Sequence, residues 1–197
     1  MISTTHFNTP LGRMLATAED GALTGLYFIG QQHFPETAGE WREESGALPF
    51  AALRQQLDAY FAGTRQVFDL PLNPRGGHAT PFQRAVWDAI AAVPFGATAT
   101  YSSLAARCGR PAAARASGAA TGRNPLTLII PCHRIVGSNG ALTGYAGGLG
   151  RKRALLAFER AVASGLPGPI SRFVAAAGSA PTLSANQPAS LELGLSR

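Results

Sequence analysis

Near residue 80 the apolar residues change their spacing, and that change limits the folds open to the chain. Before it, "GRMLATAEDGALTGLYFIG" (12–30) places two apolar runs around "EDG", a hairpin signal, so residues 1–30 read as strands. Residues 50–62 put Phe50, Leu53, Leu57, Tyr60 and Phe61 on one helical face, and Gly63 stops the helix. "VFDLPLN" (67–73) reads as one more short strand. After it, Thr80, Pro81 and Gln83 supply an N-cap, a first-turn proline and a capping-box partner. Phe82, Ala85, Val86, Ala89, Ile90 and Val93 then recur with the period of an amphipathic helix. The expectation is an α+β chain: a small N-terminal α/β unit (1–75), a linker within "PRGGHA" (74–79), and a mainly helical domain (80–165).

The second half continues in short pieces. "PFGATATY" reads as a loop or short strand, and "SSLAARCG" as a short helix closed by Gly109. "RPAAARASGAATG" reads as another helix, opened by Pro111 and closed near Gly122. Two short helices joined by a tight glycine-containing turn resemble a helix-turn-helix. The second is mostly alanine with one long side chain, Arg115. Small residues let a helix lie close to whatever it contacts, which is either a nucleic acid or the protein's own interior. "LTLII" (126–130) reads as a short buried strand, "GSNGALTGYAGGLG" as turns, and "RKRALLAFERAVASG" as a helix with Leu155, Phe158 and Val162 inward. Arg151, Lys152 and Arg153 in its first turn oppose the helix dipole at about 0.3–1 kcal/mol each, which hints at an anionic partner. Residues 166–197, rich in Pro, Ala, Ser and Gly, read as a disordered tail.

Charge sharpens the division. The formal net charge is +6, yet residues 1–80 hold five arginines against eight acids, a balance of −3. Residues 81–197 hold eleven arginines and a lysine against three acids, a balance of +9. The basic half suits a polyanion, with nucleic acid the natural candidate. An arginine-rich solvated surface is the alternative. No run of about 18 apolar residues is present, so no membrane span is expected. The N-terminus lacks the pattern of a secretory signal, and two cysteines build no disulfide framework, so a cytoplasmic protein with free thiols is expected. The four histidines show no close pairing with each other or with a Cys-x-x-Cys, so no metal is expected, and "GYAGGLG" does not follow a strand as a nucleotide-binding turn would, so no cofactor is expected.

The chemistry concentrates in "LIIPCHRIVG" (128–137). Adjacent residues on a strand point to opposite faces, but Pro131 lacks an N–H and ends a ladder. The backbone can then turn and bring Cys132 near His133. A thiol of ordinary pKa, about 8.5, is a few per cent ionised at neutral pH, and a neighbouring imidazole would raise that fraction. Glu159, one of only two acids between residues 81 and 163, sits beside inward-facing Phe158. It could orient His133 through the other ring nitrogen or simply pair with an arginine. Cys132 could equally be an inert packing residue.

"PCHRIV", preceded by "GRNP" and followed by "GYAGGLGRKRALLAFE", together with "TPFQRAVWDAIAAVPFGATATYSSLA", resembles the O6-alkylguanine-DNA alkyltransferases, or methylated-DNA–protein-cysteine methyltransferases. The resemblance covers roughly residues 1–163 and is strongest from 80 on. It implies a ribonuclease-H-like N-terminal unit and direct-reversal repair of O6-alkylguanine, and of O4-alkylthymine, in duplex DNA. Cys132 would accept the alkyl group, His133 would take its proton through a water, and Glu159 would orient His133. Tyr101 would protonate the departing guanine, and Asn124 would hold the turn before the cysteine. Arg115 would fill the gap left by the everted base, with Ala116, Ser117, Arg123 and Lys152 also on the DNA side. Backbone groups of Cys132, Ile135 and Ala146 would read the guanine, with Tyr145 walling the pocket. A monomer acting once per molecule is expected, because a thioether has no easy hydrolytic exit. Ser117 departs from the apolar residue usual after "Arg-Ala". A non-catalytic helix-turn-helix DNA-binding protein and a cysteine hydrolase are the alternatives.

Overall fold

The computed structural model describes residues 1–35, 41–74, 78–166 and 168–174. Ile2–Thr9 (β1), Gly12–Glu19 (β2) and Ala22–Phe28 (β3) form an antiparallel meander, and Trp41–Glu43 (β4) adds in parallel to β1. The sheet order is β3-β2-β1-β4. The "EDG" hairpin is present, with Asp20 and Gly21 both at positive φ in the turn between β2 and β3. β4 has no counterpart in the sequence reading, since three residues are too few for a periodicity. Phe50–Ala62 (α1) ends at Gly63, whose φ of 81° caps the helix in the left-handed region. The strand expected over 67–73 reduces to a single bridge, Leu72 to Leu23. Pro71 can offer the sheet only a carbonyl, which accepts from Leu23 N–H.

Pro81–Ala91 (α2) starts as its sequence dictates: Thr80 and Gln83 form a reciprocal capping box, worth about 0.5–2 kcal/mol. Ala99–Thr100 (β5) leads into Tyr101–Arg107 (α3), which Thr100 and Ser103 cap in the same way. Ala114–Gly122 (α4) begins three residues later than Pro111, the expected opening. α3 and α4 pack on each other and on α2, giving the helix-turn-helix arrangement. Cys132–Arg134 form a 3-10 turn, Ile135–Val136 (β6) pairs with β5, and Leu149–Ala163 (α5) follows.

"LTLII" is not a strand: Leu126 bridges to Leu26 and Thr127 to Ile130, while Leu128 turns the chain at a φ of 75°. The chain past 166 is not all tail. Ile170 is fully buried with its N–H on Phe61 O, and Ser171–Val174 (α6) sets Phe173 against Phe158. Two apolar side chains in a Pro/Gly-rich stretch are enough to dock it. Residues 175–197 of the expected tail, and 75–77 of the expected linker, lie outside the described residues.

One core serves both halves. Phe7, Met14, Leu26 and Phe28 of the sheet join Leu53 and Tyr60 of α1 with Val86, Ile90, Leu104 and Phe158 of the helices. The free edge of β3 is paired by the second half: Leu26 N–H donates to Pro125 O (2.7 Å) and Thr127 N–H to Leu26 O (3.0 Å). That junction brings the residues before Cys132 against the sheet.

Candidate active site

Asn124 fixes the segment that carries the cysteine. It follows α4 and is almost wholly buried. Its Oδ1 accepts from Leu126 N–H (3.0 Å), and its Nδ2 donates to Ile130 O (2.7 Å) and to Cys132 Sγ (3.1 Å). One amide side chain thus closes the 124–130 loop and grips the sulfur. Pro131 follows that loop, and the 3-10 turn carries Cys132, His133 and Arg134 in succession.

His133 and Glu159 are both fully enclosed, and His133 Nε2 lies 2.9 Å from Glu159 Oε1. An ionised carboxylate only accepts, so the neutral imidazole carries its proton on Nε2 and leaves Nδ1 as an acceptor. Nδ1 is buried without a protein partner among the described residues. Glu159 collects further donors. Arg134 gives Nε to Oε2 (2.8 Å) and an Nη to Oε1 (2.9 Å), Tyr60 O–H reaches Oε1 (2.7 Å), and Gly96 N–H reaches Oε2 (3.2 Å). Burial would raise the Glu159 carboxyl, but the facing imidazole, its hydrogen bond and Arg134 overcome this and hold it well below the usual carboxylate range.

Burial lowers the basicity of His133, and Glu159 only partly restores it. Burial likewise raises the Cys132 thiol, against the pull of the Asn124 hydrogen bond and the Lys152 charge. Burial thus works against the expected rise in thiolate next to an imidazole: it favours the neutral thiol and the neutral ring, against the neighbouring charges.

Cys132, 5% exposed, lines a cavity of about 380 Å³. Its walls are Tyr101 of α3, Ala119 and Gly122 of α4, Arg123, and Tyr145 and Ala146 of the 137–148 loop. The Tyr101 hydroxyl donates to Thr143 O (3.1 Å) and its pKa is raised by burial. Tyr145 meets the His133 ring edge-on, its hydroxyl buried without a protein partner among the described residues. A second cavity of about 400 Å³ shares His33 and Arg123 with this one, but its walls carry no thiol.

Of the other named residues, Arg115 and Ala116 are exposed on α4, and Arg123, just after it, is exposed while also walling the cavity. Ser117 is fully buried on the inner face of that helix and is corrected from a DNA contact to a packing residue. Lys152 is also corrected: α5 starts at Leu149 and turns Lys152 inward, where it is fully buried and its Nζ donates to the carbonyls of Ile135, Thr143 and Gly144. Burial brings its pKa down to about 8. Arg151 likewise donates to Leu11 O and Gly147 O. Two of the three cations in that turn therefore serve the fold, which dissolves the argument for an anion there. Ile135 is buried and is not among the residues lining the cavity; its N–H donates to Cys132 O, while its carbonyl accepts from Lys152 and keeps a second lone pair. Ala146 O accepts from Gln32 N–H (3.0 Å), so the first half of the chain also supports the cavity. Tyr60, Arg134, Gly96, Gln32 and His33 were not foreseen at the site. Arg134 lies inside the quoted motif, whereas nothing local distinguishes Tyr60 from the other core aromatics.

An α+β chain whose helix-turn-helix opens beside a buried cysteine, backed by imidazole and carboxylate, defines a thiol-centred protein with a nucleic-acid-binding architecture. The comparisons make this particular. Residues 81–161 match the model for the 6-O-methylguanine DNA methyltransferase DNA binding domain, and residues 2–74 match that for its ribonuclease-like domain. The chain belongs to the 6-O-methylguanine DNA methyltransferase family. It is 44% identical over 160 residues to the methylated-DNA–protein-cysteine methyltransferase of Mycolicibacterium paratuberculosis, covering 81% of this chain and 93% of that one. The constitutive enzyme of Bacillus subtilis is 41% identical over 158 residues, covering 77% and 91%. The crystal structure of Mycobacterium tuberculosis OGT in complex with DNA superposes with a TM-score of 0.77 at 37% identity, covering 87% of this chain and 98% of that one. Among the described residues no helix is long and apolar enough to cross a membrane.

Proposed function

We propose that this chain repairs DNA by moving the alkyl group of O6-alkylguanine, and of O4-alkylthymine, onto the sulfur of Cys132. The observation that carries the reading is the position of the thiol: it lines a cavity whose walls include Ala119 and Gly122 of the second helix of the helix-turn-helix. A base inside a duplex hides its O6 substituent from such a thiol, so the nucleotide must be everted. Exposed Arg115, on a helix of small residues, suits the role of filling the stack.

The Cys132 proton passes through a water to His133 Nδ1, and Glu159 stabilises the imidazolium that forms. Thiolate sulfur attacks the alkyl carbon, the S–C bond forms, and the C–O6 bond breaks with its electron pair on the guanine. Tyr101 protonates the departing base. A thiol whose pKa is raised by burial suits this sequence, in which His133 draws off the proton. The product is a thioether, which gives one event per molecule. A monomer in the cytoplasm, on the nucleoid if the cell is bacterial, completes the reading. The two cysteines are both free.

Duplex carrying a labelled O6-methyl group, incubated with the protein, should place one label per molecule on the peptide containing Cys132, and Cys132→Ser should take none. Label found elsewhere or nowhere rejects the reading. Repeated turnover on a small ester or amide would favour a cysteine hydrolase.

A further inference from the structure

One of the donors to Glu159 comes from the other half of the chain. Tyr60 lies on α1, 99 residues from Glu159, and its hydroxyl donates to Oε1 at 2.7 Å. The same oxygen accepts from His133 at 2.9 Å and from Arg134 at 2.9 Å. Tyr60 and Glu159 are both fully buried. The Tyr60 ring is held by Phe61, Phe68, Phe95 and Phe158, with centroids 5.3, 5.4, 6.1 and 5.6 Å away, so its hydroxyl has one direction to point. A carboxylate oxygen has about two lone-pair directions. Three donors on Oε1 must share them, and each takes part of its charge.

We propose that Tyr60 is a positioning residue of the alkyl-transfer centre: its hydroxyl holds Glu159 Oε1 against His133 and draws off part of the carboxylate's charge, so the imidazole is oriented yet stays neutral and able to take the thiol proton. The proposal rests on the roles given above to Cys132, His133 and Glu159. It makes the N-terminal unit part of the chemistry.

The groups facing His133 set the sign. Glu159 of α5 favours the imidazolium. Lys152 of α5 and the neighbouring Arg134 oppose it. Cys132 precedes it in the chain, and Tyr145 of the 137–148 loop meets its ring edge-on without charge. Tyr60 acts from α1 by moderating Glu159. Without the hydroxyl Glu159 pulls harder, and His133 becomes easier to protonate.

Full-length protein carrying Tyr60→Phe, and protein carrying 3-fluorotyrosine at position 60, test this. The first removes the donor and the second strengthens it. The His133 ring is titrated by ¹⁵N NMR, and methyl transfer from labelled duplex is followed against pH. For Tyr60→Phe the His133 titration and the acidic limb of the rate profile should move up together by about half a pH unit, or about threefold in rate on that limb. Fluorotyrosine should move both the other way. Unchanged titrations in both proteins, or shifts of the same sign, overturn the proposal, since a hydroxyl that only packs gives no opposed response. If Tyr60→Phe does not fold, the fluorotyrosine protein decides alone. If the unmodified protein transfers nothing to Cys132, the reading of the site fails, while the NMR titrations still decide the role of Tyr60.

Discussion

Ser117 shows how one atom can stand against its surroundings. Its side chain is fully buried in α4, and its hydroxyl has no hydrogen-bond partner among the described residues. An enclosed donor that exchanges water for nothing costs about 1–3 kcal/mol. Ser117→Ala removes the hydroxyl and keeps the helix, so it should stabilise the protein by about 1 kcal/mol, or about 2–4 °C in Tm. Thermal unfolding checks this, and a lower Tm would mean that the hydroxyl has a partner the geometry does not show. The sequence marked Ser117 as unusual but not which way it faces, because an alanine-rich helix has no apolar stripe to orient it. Cys132, His133 and Glu159 were legible as a group; their protonation was not, since burial sets it and no spacing reports burial.

At the scale of elements, α4 and α5 separate cations that look alike in sequence. Arg115 is exposed on α4, whereas Lys152 is enclosed on α5 and holds three carbonyls of the cavity loop and its flank. Binding to duplex measured against salt should distinguish them. Arg115→Ala, if the residue approaches phosphate or base stack, should lower affinity and reduce the salt slope by up to about 1. Lys152→Ala should leave the slope unchanged while loosening the 137–148 loop, seen as faster amide exchange at Gly144 and Tyr145. A reduced slope for Lys152→Ala would restore it to the DNA side. Helix starts were readable where a side chain supplies the cap, as at Thr80. "LTLII" misled because an apolar run reads as a strand, whereas Asn124 and the left-handed turn at Leu128 fold it into a loop.

Across the whole molecule the two halves share one core and one buried carboxylate, so they should unfold together. Trp41 lies on β4 and Trp87 on α2, one in each half. In proteins keeping only one of the two, fluorescence and far-UV circular dichroism should give coincident transitions. Acid should weaken the fold in two stages. Burial lowers the pKa of His133 in the fold below its unfolded value, so the unfolded chain takes the proton more readily and stability falls as pH drops below about 6.5. Glu159 stays ionised in the fold well below the usual range, so its contribution is complete above about pH 4.3 and is lost as pH falls further. Denaturant midpoints against pH check both, and Glu159→Gln should flatten the lower stage. The sequence by itself determined the N-terminal strands, helices α1 to α5 and the cysteine motif, because period, caps and turns act over a few residues. The tertiary structure alone decided that Lys152 and Ser117 face inward, that burial raises the thiol's pKa, and that Tyr60 reaches Glu159 across 99 residues. The physical reason is that burial and partner choice arise only when separate elements pack, and local periodicity carries no record of which faces will meet.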